Sequence, residues 1–448
     1  MSAPLYRVAA VAALLVLMSG PSGAENPPDL PLDPAIQRLV NAVSTQQLRT
    51  TDVRLVGFGT RNTFSEGQRG QRGVFAARDW IAGQFRAIAK SSGGRMTVAF
   101  DSFVQPKTAE IPRAVEVSSV IATLRGDDPA RGTVVISSHF DSRNSDGNDA
   151  TRDAPGADDN GSGTACVLEA ARVLATVHPA ATIVFATFDG EEQGLFGSAH
   201  YAGTLHDARA DVEANLNNDI IGASMGHAGE SSPNTVRLFS EALPHGTVPA
   251  RVNALGSEND SPARELARFV KETAGAYVPP MQATLVFRED RFLRGGDQES
   301  FSAQGYPAVR FVEAHENFDH QHQTIRVQNG IQYGDLVRFM DFDYLARVTR
   351  MNVAALATLA LGPRAPQPTV LVRQLGYDTT LSWKPVPRAV GYEVLWRSTT
   401  DSTWTHVQSV GAATSATLPL PKDDVIFGVR AVDAAAHRSV AAYPTPTR

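Results

Sequence analysis

Apolar positions recur at two periods along the chain, and the switch between them marks out the elements. After a proline-rich lead-in at 27–34, the spacing predicts an amphipathic helix over 35–48. A second is predicted over 74–89, where Trp80, Ile81, Phe85 and Ile88 share one side. The period then shortens to two, and 96–104 and 117–124 alternate like strands. Residues 134–138 and 182–188 are unbroken apolar runs, as strands buried on both faces require. A helix rich in Ala, Val and Leu, 163–177, separates those two runs. Strand, helix and strand at this spacing form a βαβ unit. The predicted fold class is therefore α/β: a mixed, mostly parallel central sheet with helices on both faces.

A last helix over 333–361 closes that part of the chain. The run Gly362-Pro363-Arg364-Ala365-Pro366-Gln367-Pro368 then reads as a linker, 363–368. Beyond it only short strands are predicted, at 381–383, 392–396, 405–407 and 425–432, which suggests an all-β sandwich. Trp383, Gly391-Tyr392-Glu393-Val394 and the run from Phe427 to Asp433 resemble a fibronectin type III module. The resemblance covers 369–448, and as an appended module it is expected to bind a surface or polymer. At the other end, Arg7, the apolar run from Val8 to Met18 and Ser22-Gly23-Ala24 have the layout of a secretory signal peptide, 1–24. The expected location is periplasmic or extracellular, with the large domain spanning 25–362.

Composition narrows the classes. The 448 residues are 42% hydrophobic and 20% charged, in the normal range for a chain that buries a core. The net charge is −6 and no Lys/Arg cluster occurs, so nucleic acid is not an expected partner. Outside the signal peptide no stretch is long and apolar enough to span a membrane. The single cysteine, Cys166, cannot form an internal disulfide, and its helical neighbours Val167, Leu168, Ala171 and Leu174 mark it as a packing residue.

Candidate chemistry gathers at or just past the ends of predicted strands, where open α/β sheets bind ligands. His139-Phe140-Asp141 follows one strand. On extended chain, residues two apart point the same way, so the imidazole suits a metal and the carboxylate can take its second N–H. Asp158-Asp159 lies between glycines at a helix start. Asp189-Gly190-Glu191-Glu192 follows the strand 182–188; its adjacent carboxylates project differently, so one can hold a metal while the other acts as a general base. Asp219 ends Asn217-Asn218-Asp219, and His315, His320 and His322 crowd a window of eleven residues, 313–323.

Jointly, over 34–361, these segments resemble the co-catalytic di-zinc exopeptidases that include bacterial leucine aminopeptidases and glutamate carboxypeptidase II. The resemblance implies two Zn²⁺ ions and peptide or protein N-termini as substrates. His139 and Asp219 would serve one metal, Glu192 and a late histidine the other, and Asp159 would bridge them. Glu191 would be the general base, and Asp141 would stand behind His139. Three carboxylates and one hydroxide balance two Zn²⁺. Gly295–Phe301 resembles the family's substrate-side segment, with Gln298 where many members carry His. Relatives that cyclise N-terminal glutamine lack the first-metal set, which is present here. For the late histidine the expectation is His320: Thr324 stands four residues on, where the family has Asp. From His322 that position is Arg326. From His315 it is Asp319, but His315 lies close to the strand 308–312.

Overall fold

The computed structural model describes residues 32–67, 70–108, 111–241, 258–292, 294–372 and 376–447. The expected signal peptide lies outside the described residues. The strands of the large region are β1 (Met96–Gln105), β2 (Val115–Leu124), β3 (Thr133–His139), β4 (Thr182–Phe188), β5 (Val212–Asn218), β6 (Thr235–Ser240), β7 (Gln282–Val286) and β8 (Ala308–Glu313). Among the described residues they form one sheet in the order β1-β2-β4-β3-β5-β8-β6-β7. The four central strands, β4, β3, β5 and β8, are parallel. Their carboxyl ends therefore open on one edge, with His139 level with Phe188 across the β3–β4 pair.

Alternation along β3 explains its apolar stretch, Val134 to Ile136. Val134 and Ile136 enter the larger core, shared with α1 (Pro34–Asn41), α2 (Thr45–Val56), α3 (Val74–Ala89), α4 (Gly163–Leu174), α6 (Pro262–Tyr277) and α8 (Phe342–Leu361). Val135 joins Val184 and Phe188 on the opposite face, near α5 (Phe196–Asp207) and α7 (Asp297–Ala303). Cys166 is fully buried in α4, and burial pushes its thiol up to about 12.

Two helix boundaries differ most from the pattern. The segment 35–48 is broken: α1 ends at Asn41, and Ser44 opens α2 by accepting the Gln47 N–H with its hydroxyl. A side-chain cap satisfies an orphan amide there, which periodicity does not register. The last helix begins at Phe342 rather than 333, capped by Asp341, which accepts from Asp343 N and Tyr344 N. The residues released from that helix include Asp335, which the site uses.

C-terminal to α8, a four-stranded and a three-stranded sheet enclose one apolar core of Val370, Leu381, Trp383, Tyr392, Val394, Phe427 and Val429. No helix among the described residues is long and apolar enough to cross a membrane.

Candidate metal centre

Four of the candidate side chains, those of His139, Glu191, Glu192 and Asp219, sit at or just past the ends of central strands. His139 is the last residue of β3 and fully buried. Its Nδ1 lies 3.4 Å from Asp141 Oδ1, and its Nε2 faces Asp159 Oδ1 at 3.3 Å, Asp219 Oδ1 at 3.5 Å and Glu191 Oε2 at 3.9 Å. After β4 the chain turns through Gly190 (φ +80°), a left-handed position that favours glycine. The turn brings Glu191 and Glu192 over the edge. Their amides donate to the two oxygens of Asp141, at 3.2 and 3.1 Å. Asp141 thus holds the histidine and both glutamates in one register.

The second half of the site comes from farther along the chain. His322 Nε2 lies 2.8 Å from Asp159 Oδ2 and 3.0 Å from Glu192 Oε2. Two three-residue sets result, His139/Glu191/Asp219 and Asp159/Glu192/His322, with the ligand atoms of each set within 4.8 Å of one another. Asp159 presents one oxygen to each histidine.

The structure therefore brings His139, Asp141, Asp159, Glu191, Glu192 and Asp219 together, and it corrects the last member. His320 does not reach the cluster; its ring stacks on Phe339, with centroids 3.7 Å apart. The chain turns at 317–321, where the amides of His320 and Gln321 both donate to the Asn317 carbonyl. His322 then adopts φ +55° and swings inward. His315 is exposed.

Sequence reasoning missed the groups that hold this arrangement. Arg61, fully buried, donates to the carbonyls of Phe140 (2.6 Å), Pro155 (2.6 Å) and Gly156 (2.8 Å), clamping the β3 end to the loop that carries Asp159. Asp335 accepts the amides of Asp158 (2.9 Å) and Asp159 (2.8 Å); burial, with Asp158 adding to it, pushes its carboxyl up to about 8. Arg310, also fully buried, lies 2.7 Å from both Asp219 Oδ2 and Asp290 Oδ2. That leaves Asp219 Oδ1 for His139. Gln298 is buried rather than exposed to a substrate pocket, accepting from Asn217 Nδ2 at 3.2 Å and donating to Asp290 Oδ2 at 2.5 Å. An isolated Arg or Asp in the sequence carries no signal for these roles; only the spatial pairing does.

The donor set fits a metal. His139 Nε2, Asp219 Oδ1 and Glu192 Oε1 are buried without a hydrogen-bond partner. Each such atom costs about 1–3 kcal/mol unless something takes its place. Burial pulls His322 down, yet the carboxylates of Glu192 and Asp159 outweigh it and push the imidazole up to about 10. Burial drives Glu191 well above the usual carboxylate range, with Asp219 and Glu192 adding to it. Both shifts mark a cluster short of positive charge, and mixed N/O donors suit Zn²⁺.

Carboxylates and imidazoles converging at the carboxyl ends of parallel strands make a candidate metal-binding site. Residues 119–341 match the model of peptidase family M28. A protein of Leptosphaeria maculans named "probable zinc metalloprotease" is 46% identical over 417 residues, 92% of this chain and 97% of its own. One of that name in Pyricularia oryzae is 46% identical over 440 residues, 96% and 88% of the two chains. The chain belongs to peptidase family M28 and is a metallopeptidase. The fold is shared with the Legionella pneumophila LapA aminopeptidase (TM-score 0.51, 18% identity, 76% and 78% covered). It is also shared with Macrostomum lignano glutaminyl cyclase (TM-score 0.52, 16% identity, 76% and 95% covered).

Proposed function

We propose that this chain is an exported aminopeptidase that holds two Zn²⁺ ions and removes N-terminal residues from peptides. The observation that carries the reading is Asp159, whose two oxygens face His139 Nε2 and His322 Nε2 at 3.3 and 2.8 Å. A carboxylate so placed suits a bridge between two metals. One ion would be held by His139, Asp219 and Asp159, the other by Glu192, His322 and Asp159. Bound zinc would supply Lewis acidity toward the scissile carbonyl and toward a water molecule. Glu191 accepts the proton of the attacking water at its carboxylate and delivers it to the leaving amine. Asp141 positions Glu191 and Glu192 through their amides and holds the His139 ring. Export rests on the features of 1–24. A surface or polymer role for 369–448, on a fibronectin type III-like module, would show as co-sedimentation of the full chain with chitin or cellulose; no retention would sink it.

The test of the chemistry separates ligand from base. Glu191→Gln is expected to retain both metals by elemental analysis while turnover on aminoacyl reporters falls about 10²–10⁴-fold. Glu192→Gln is expected to lose metal. The reverse pattern would exchange the two roles. Cyclisation of N-terminal glutamine with a single zinc, in place of hydrolysis, would overturn the reading.

A further inference from the structure

The cavity over the metal centre, about 360 Å³, has acidic ligands for a floor and arginines for a wall: Arg143, Arg291, Arg294 and Arg310. Two of these are committed inward. Arg310 is fully buried between Asp219 and Asp290, and Arg291 pairs with Asp290 at 3.0 Å and Glu316 at 3.0 Å. The other two are not. Arg294 reaches Glu316 at 2.8 Å through Nη1, but that carboxylate already takes Arg291 and Arg237. Three guanidinium groups thus share one carboxylate. Arg143 pairs with one carboxylate among the described residues, Glu192 Oε2 at 4.0 Å, and Glu192 belongs to the metal cluster; its Nε also donates to the Asn144 carbonyl at 3.4 Å. The two side chains remain 29% and 33% exposed at the mouth of the cavity.

We propose that Arg143 and Arg294 form an anion-binding rim that selects peptides carrying a carboxylate beside the scissile bond. The proposal rests on the peptidase reading above and names the substrate class for that site. With the metal ligands neutralised by zinc, the rim presents to whatever enters the guanidinium N–H groups that Glu316 and the Asn144 carbonyl leave over. A guanidinium matches a carboxylate in charge and in fork geometry. A free α-ammonium with no carboxylate near it gains nothing from this wall. The carboxylate has three possible sources: an acidic first side chain, an acidic second side chain, or the C-terminus of a dipeptide.

Three substrate pairs on the zinc-loaded full chain distinguish these sources: Glu- against Gln-p-nitroanilide, Leu-Glu-amide against Leu-Gln-amide, and Leu-Leu against Leu-Leu-amide. The acid member of at least one pair is expected to lead in kcat/KM by about tenfold, mainly through KM. That lead should shrink in Arg143→Gln and Arg294→Gln, and in about 0.5 M salt, which screens exposed charges. Equal or better hydrolysis of the neutral member in all three pairs overturns the proposal. Hydrolysis of none of the six would count against the peptidase reading instead. The rim would then be decided by calorimetric titration of glutarate into zinc-loaded protein. Weaker binding in the double variant supports it, and unchanged affinity overturns it.

Discussion

His322 shows what a single residue contributes and why its role is hard to read from spacing. A non-glycine residue at φ +55° costs about 1–3 kcal/mol, and such a conformation persists only where surrounding contacts impose it. Here the inward turn delivers Nε2 to Asp159 and Glu192. His320, two residues earlier, satisfies its ring by stacking on Phe339. The expectation of His320 counted positions along the chain, and a left-handed residue breaks the relation between count and direction. We predict that His322→Ala loses about one zinc per chain while His320→Ala retains full occupancy. Elemental analysis of the purified variants checks both. Zinc loss in His320→Ala with none in His322→Ala would overturn the assignment.

Among the elements, the β3–α4–β4 unit does most to place the site. Both strands are buried from their second residue on, α4 covers one face, and the loop before α4 carries Asp159. The start of α4 is packed so closely that glycine is required at 163. A β-carbon there would run into the Asn218 carbonyl oxygen and the Asn160 side chain. Asn160 accepts the Gly163 amide at 2.9 Å and donates to the Asn218 carbonyl at 2.9 Å, joining this loop to the strand end that carries Asp219. Gly163→Ala is therefore expected to destabilise the fold by about 1–3 kcal/mol. It should also lower zinc occupancy by moving Asp159 away from Asp219. Denaturant midpoints and elemental analysis test the two effects, and an unchanged midpoint would refute the first.

Across the whole molecule, the C-terminal sheets are tied to the large region by buried charge. Arg397 lies 2.5 Å from Asp260, Trp404 Nε1 donates to Glu265 Oε2 at 3.0 Å, and Arg430 joins Glu272 at 2.8 Å. Removing one side would leave buried partners unpaired, which costs several kcal/mol. Truncation from 365 onward is thus expected to lower stability whatever the module binds. At a second contact, His437 bridges Asp433 (Nδ1, 2.9 Å) and Asp33 (Nε2, 2.8 Å). Burial opposes protonation of His437, but the two carboxylates prevail and raise it above the ordinary histidine value. A raised folded-state value means the stabilisation is complete below about pH 6.5 and is lost as pH rises through the folded value. The stability gap between wild type and His437→Gln, about 1 kcal/mol in mild acid, should close toward alkaline pH. Thermal unfolding of both proteins from pH 6 upward measures it; a gap that widened would contradict the sign.

Taken alone, the sequence determined the α/β class, the βαβ core and the late all-β region. These follow from local periodicity, because a strand buried on both faces must be apolar throughout and a covering helix must repeat every three to four residues. It also pointed to His139, Asp159, Glu191, Glu192 and Asp219, each beside the end of an apolar element whose direction is locally set. Tertiary structure alone decided the rest. Asp335, Arg61 and, through Asp219, Arg310 hold the site by partners 79 to 177 residues away in sequence. His322 depends on a left-handed turn, and the arginine wall is assembled from the chain after His139, the segment before α7 and β8. Local pattern specifies which way a strand points; it does not specify which distant loop arrives above its end.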